Sequence, residues 1–258
     1  VAIFSANNLI TPSPMKIYQF LTLATCVVLA SCGGSGPSPS GGSYGRDPWG
    51  HRPGPTGFTT VILDAGHGGQ DSGAVSRTTG QKEKDLTLDM VRRIKGELGS
   101  SFKTVLMRNH DEFIDLDDRV ARANRYNDAI LVSVHFNSSA SGIRGPETYY
   151  WRVDSHGLAV RCQQAMAQVS PAEQSKRGMV RRRLRLTRNP EIPCLLLECG
   201  YLSHPAEAQL AQSSAYRQKM ATAIASAIRT QAAVGDAGTG PLPAPLYAPP
   251  SRPTDAPE

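Results

Sequence analysis

Apolar positions in the middle of the chain fall in short continuous runs and at helical spacing by turns, a pattern that predicts alternating strands and helices. Thr59 to Leu63 is a β-branched, apolar run that stops at Asp64-Ala65-Gly66-His67-Gly68-Gly69, so a buried strand delivers a glycine-rich loop carrying a histidine. Leu86, Leu88, Met90, Val91, Ile94 and Leu98 sit largely at helical spacing ahead of Gly99, and Thr104 to Met107 makes another strand. Leu116, Val120 and Ala123 predict a second helix. Ala129 to Val134 is a strand that runs into Ser133-Val134-His135-Phe136-Asn137. Glu147 to Val153 is aromatic and β-branched, Leu158 to Val169 is helical, and Cys194 to Leu197 is a buried strand ending in Glu198. Leu184 and Leu186 alternate with Arg183 and Arg185 as in a half-buried strand. A last helix runs from about Tyr216 to Ala232, with Met220, Ala223, Ile224, Ala227 and Ile228 on one side.

Strands alternating with helices predict an α/β fold, with a mostly parallel central sheet and helices on both faces. Sites in such sheets gather outside the carboxyl ends of the strands. Three strands here end in His67, His135 and Glu198, and a shared edge would bring these residues together.

Composition limits this domain to the middle of the 258-residue chain. Residues 33–57 are almost all Gly, Ser and Pro with scattered polar residues, which bury too little apolar surface to offset the entropy of ordering, and read as a linker. Residues 234–258 repeat the pattern as a Pro-rich tail. Residues 58–233 remain as a single catalytic domain. Residues 1–32 read as a leader and export signal: Met15-Lys16 precedes the apolar run Phe20 to Ala30, too short to span a bilayer. Leu29-Ala30-Ser31-Cys32-Gly33 resembles the lipobox of bacterial lipoproteins, which would make Cys32 the point of lipid attachment. The expected location is therefore the cell envelope (periplasm), lipid-anchored to a membrane.

The formal net charge of +6 suits any polyanion, including the acidic polymers of a bacterial wall. Nucleic acid is the poorer partner, because no recognition motif or stacking aromatic interleaves the arginines. Cys162, Cys194 and Cys199 lie in the domain; an odd number cannot all pair, and buried free thiols are expected.

Two histidines and one carboxylate suffice to hold a hydrolytic zinc ion (Zn2+) and leave a place for water. His67 and His135 are the obvious nitrogens. Glu83, just ahead of the first helix, is aimed back at the same edge. Glu198 ends a strongly apolar strand, where a carboxylate is costly without a partner or a task, and a general base is such a task.

At this point the domain resembles the zinc-dependent N-acetylmuramoyl-L-alanine amidases. The resemblance rests on Asp64 to Gly69 with Asp71-Ser72-Gly73-Ala74, on Glu83-Lys84-Asp85-Leu86, and on Arg108 with Asp111. It extends through Leu116 to Asn124 with Arg119, Ser133 to Asn137, Arg177-Gly178, and Pro193 to Ser203 with Glu198-Cys199-Gly200-Tyr201. It implies that His67, Glu83 and His135 bind one zinc ion and that Glu198 is the catalytic acid/base. The substrate it implies is peptidoglycan, cut between the lactyl group of N-acetylmuramic acid and L-alanine of the stem peptide. Ala65 and Cys199 stand where the family often has Pro and an aliphatic residue. In some relatives a helix between the second histidine and the next strand blocks the zinc until an activator binds; Asn137 to Pro146 is too short for one, so no plug of that type is expected. A protein activator acting by another route stays open as a partner. Asn137, Arg177 and Arg188 are candidate substrate contacts. Two rivals stand beside this reading: another zinc peptidase of the wall, and a wall-binding module without activity.

Overall fold

The computed structural model describes residues 53–139, 142–171 and 178–243. The export signal with Cys32, and Arg177, lie outside the described residues. Six strands form one sheet in the order β2-β1-β3-β6-β4-β5. They are β1 (Thr60–Ala65), β2 (Lys103–Leu106), β3 (Ala129–Asn137), β4 (Glu147–Tyr150), β5 (Met179–Arg181) and β6 (Cys194–Tyr201). The pairs β1–β2, β1–β3 and β3–β6 are parallel; β4 runs antiparallel to β6, with β5 parallel to β4. The sheet is thus mostly parallel, as expected, with its reversed strands gathered at one edge.

Period-two alternation divides the strand residues between two layers. Val61, Leu63, Ile130, Val132, Val134, Leu195 and Leu197 face one core, built with α1 (Glu83–Leu98), α3 (His156–Val169) and α6 (Ser214–Val234). Ile62, Leu131 and Cys194 face a second, smaller core with α2 (Leu116–Ala123) and α4 (Arg185–Arg188). Local chemistry sets the helix limits. Glu83 and Asp85 occupy the first turn of α1, where carboxylates complement exposed N–H groups, and Gly99 ends it at φ 57°. Asp115 caps α2 by accepting from the Asp117 N–H.

Several elements differ from expectation. The strand expected across Arg183 to Leu186 is a bend into α4, because Thr187 Oγ1 accepts from the Leu184 N–H at 3.1 Å and donates to the Arg182 carbonyl at 2.7 Å. β4 stops at Tyr150, and a tight helical turn over Val153–Ser155 leads into α3. β6 continues past Glu198 to Tyr201, with a register shift opposite His135 and Asn137. The short helix α5 (Pro205–Gln212), opened by Pro205, carries no long apolar stripe to announce it. Contacts run past both ends of β1–α6: the Gly54 N–H donates to Asp236 Oδ2 at 2.6 Å, and the Gly57 N–H to the Ala232 carbonyl at 2.8 Å.

Candidate metal centre and cleft

His67, Glu83 and His135 converge at the carboxyl edge of β1 and β3, with one potential ligand atom from each within 4.8 Å of the others. Glu83 Oε1 lies 3.1 Å from both His67 Nε2 and His135 Nδ1. The Phe136 N–H donates to the same oxygen at 3.0 Å, and the Ala74 N–H to Oε2 at 2.8 Å. Burial alone would raise the Glu83 carboxyl; hydrogen bonds from His135 and His67 instead hold it far below the ordinary carboxylate range. Burial likewise opposes protonation of His67, yet Glu83 and then Asp71 raise its pKa to about 9. His67 Nδ1 meets Asp71 Oδ2 at 2.7 Å, which turns Nε2 toward Glu83. Such a carboxylate behind a ligand histidine fixes ring orientation and basicity.

The loop carrying His67 is held by two buried guanidinium groups. His67 has φ 59°, the one non-glycine residue with positive φ among the described residues. A non-glycine residue in that region costs about 1–3 kcal/mol and needs support from its surroundings. Arg119 supplies some, donating to the carbonyls of Ala65 and His67 at 2.8 Å each while pairing with fully buried Asp64. Arg108, only 1% exposed, donates to the carbonyls of Ala65, Gly66 and Lys84 at 3.1, 2.9 and 2.7 Å. Arg108 therefore ties the His67 loop to the start of α1, where Glu83 sits. Sequence reasoning attached no role to Asp71, Arg108 or Arg119. The signal available for Asp71 was its place four residues after His67 in a loop.

Glycines make room for the three clustered side chains. A methyl group on Gly66 would lie 2.3 Å from His135 Cε1, and one on Gly73 would lie 2.6 Å from both Glu83 Oε2 and His67 Cδ2. Two imidazoles and one carboxylate packed this closely, with His67 Nδ1 held by Asp71 and Glu83 Oε2 by the Ala74 N–H, fit a small divalent ion of nitrogen and oxygen preference.

Glu198 stands beside His135 in the β3–β6 register, and fully buried Glu147 stands on its other side. Residues in register share a face of the sheet, so Glu198 opens into the same cleft of about 460 Å³ as the three clustered residues. Asn137 also lines that cleft. Arg188 is not among its lining residues; its Nε donates to Asn189 Oδ1 at 2.8 Å. Cys162, Cys194 and Cys199 are buried and free, the first two with their thiols pushed up to about 12 by burial, and take no part in the site. No helix interrupts the connection between β3 and β4 among the described residues.

Fold and site together define an α/β protein with a candidate His-Glu-His metal centre in an open cleft. The chain belongs to the N-acetylmuramoyl-L-alanine amidase family, whose model matches residues 61–230. The probable cell wall amidase LytH of Staphylococcus saprophyticus is 31% identical over 178 residues, covering 66% of this chain and 57% of that protein. The chain thus spans little more than half the length of LytH. The catalytic domain of CwlV, an N-acetylmuramoyl-L-alanine amidase from Bacillus (Paenibacillus) polymyxa, is 32% identical with a TM-score of 0.64, covering 67% of this chain and 97% of that one. The CwlD amidase of Clostridioides difficile, solved in complex with the GerS lipoprotein, is 27% identical with a TM-score of 0.59, covering 67% and 97%.

Proposed function

We propose that the protein is a zinc-dependent N-acetylmuramoyl-L-alanine amidase that removes stem peptides from peptidoglycan. The observation that carries this reading is the meeting of His67, Glu83 and His135 in one cleft with Glu198 in register beside them. His67, Glu83 and His135 would hold the zinc ion. When bound, zinc supplies Lewis acidity toward the scissile carbonyl and lowers the pKa of water.

The chain's own groups account for the remaining steps. Glu198 takes a proton from the attacking water as its oxygen bonds to the lactyl carbonyl carbon, then gives that proton to the L-alanine nitrogen as the C–N bond breaks. Asp71 keeps His67 oriented, and Arg108 and Arg119 keep its loop in place.

The work of such an enzyme is in the cell envelope, in keeping with the wall-directed names of its relatives. Lipid attachment at Cys32 is part of the same proposal and rests on the sequence around it. No helix among the described residues is long and apolar enough to cross a membrane. A protein activator is an added partner to test, given that CwlD was solved with a lipoprotein bound.

The test is digestion of purified peptidoglycan by zinc-loaded protein beside the Glu198→Ala variant, with products read by mass spectrometry. Free stem peptides beginning with L-alanine, released only by the intact protein, support the amidase. Cuts within the stem would move it to the peptidase reading, and intact wall despite bound zinc would favour a binding module or a missing activator.

A further inference from the structure

We propose that Arg182 binds a carboxylate of the stem peptide and sets the preference of the cleft for acidic over amidated stems. The inference rests on the amidase reading and adds a specificity residue to it. Its ground is the way three successive arginines divide at the end of β5. Arg181 donates from Nε to the Trp151 carbonyl at 3.0 Å, and its guanidinium lies 5.4 Å from the centre of the Trp151 ring. The Arg183 guanidinium lies 5.3 Å from the centre of the same ring. Both cations are engaged by one aromatic side chain.

Arg182, between them, projects the other way and lines the cleft with Glu198, Asn137, Tyr149, Leu184 and Leu196. It is solvent-exposed, and among the described residues its guanidinium meets no hydrogen-bond or ion-pair partner. Apart from the two histidines it is also the cation among the residues lining that cleft. The acidic groups there are committed: Asp71 to His67, Glu83 to both histidines and two backbone N–H groups, and Glu198 is not without a partner of its own. A planar guanidinium with free donors beside the scissile position fits a carboxylate in bidentate fashion. Tyr149, Leu184 and Leu196 give the same cleft an apolar wall for the peptide stem. A cleft of about 460 Å³ has room for the residues that flank the scissile bond, and the free carboxylate nearest that bond in an acidic stem is that of the residue following L-alanine.

The experiment uses matched muramyl peptides bearing either a free carboxylate or a carboxamide on that residue, cleaved by zinc-loaded wild-type, Arg182→Gln and Arg182→Lys proteins. For the acidic substrate, Arg182→Gln is expected to raise KM about ten- to a hundred-fold with kcat nearly unchanged. KM for the carboxamide should stay the same, and Arg182→Lys should recover part of the loss. Calorimetry of the released acidic peptide should show the same weakening without relying on turnover. Equal losses on both substrates, or no change in KM and in product binding, overturn the role of Arg182. Wild-type protein that cleaves neither substrate bears on the amidase reading and its need for an activator, and the peptide calorimetry then decides the role of Arg182 alone.

Discussion

His135 and Glu198 are cross-strand neighbours, side by side where β6 pairs with β3, and both open into one cleft. That adjacency puts a carboxylate next to the metal cluster without making it part of the cluster. Glu198→Gln should therefore lower kcat about 10²–10⁴-fold, the range for a lost proton-transfer group, while zinc content by elemental analysis stays at the wild-type level. Loss of zinc along with activity would mean that Glu198 is a ligand.

Asp71 touches His67 but lies behind it. Asp71→Ala should weaken zinc binding about 10- to 100-fold, measured by competition with a chelating dye. Activity at saturating zinc should recover much more fully than for Glu198→Gln. An unchanged zinc affinity would reduce Asp71 to a turn residue for Gly73, whose N–H it accepts at 3.0 Å.

Arg108 is predicted to support the fold and the site together. Arg108→Met keeps the apolar stem but leaves the carbonyls of Ala65, Gly66 and Lys84 without this donor. Those carbonyls keep Arg119 or Thr87 as donors, so the loss is of hydrogen bonds to a charged group, about 1.5–3 kcal/mol each, and the urea midpoint should fall clearly and zinc affinity with it. A variant as stable as wild type would show that water replaces the guanidinium.

The metal-free protein should lose stability as pH rises from about 6.5 through about 9. The His67 pKa in the fold is about 9, raised above its ordinary value of 6.5 against the cost of burial. A raised histidine contributes fully below its unfolded pKa and ceases to contribute above its folded one. Zinc-loaded protein should show the opposite trend, because the metal displaces that proton and binds better as pH increases. Thermal melts across this interval, with and without zinc, check both directions.

Gly66→Ala should disturb the site through His135, since the added methyl would meet that ring at 2.3–2.6 Å. The expected outcome is a destabilisation of about 1–3 kcal/mol and a loss of zinc binding, read by calorimetry. Retained zinc affinity would show that the ring can turn aside and still serve.

His67, Glu83 and His135 could be picked out in the sequence because each follows or opens a strongly patterned element, and strand-end placement predicts convergence. Glu198 stood out as a carboxylate in an apolar run. The roles of Arg108 and Arg119 were not visible, because their partners are backbone carbonyls brought in from other elements. Arg182 was hidden in an arginine run whose division is decided by Trp151, a residue on a neighbouring strand end. The bend at Leu184 depended on one hydroxyl, Thr187, which no periodicity records. Of the candidate substrate contacts, Asn137 lines the cleft, Arg188 bonds to Asn189, and Arg177 lies outside the described residues.

Residues 54–57 are fastened to the end of α6 before the chain enters the sheet. The Gly54 N–H bonds Asp236, the Pro55 carbonyl accepts from Gln231, and Thr56 and Gly57 both donate to the Ala232 carbonyl. A mechanical pull on the chain ahead of Gly54 would load these four bonds to the C-terminal end of α6 before it reached β1. The His67 loop at the far end of β1 is in this way strain-relieved, as a cable is at its clamp, and a protein tethered in front of Gly54 could be tugged by a moving wall without its ligand geometry being drawn out of shape.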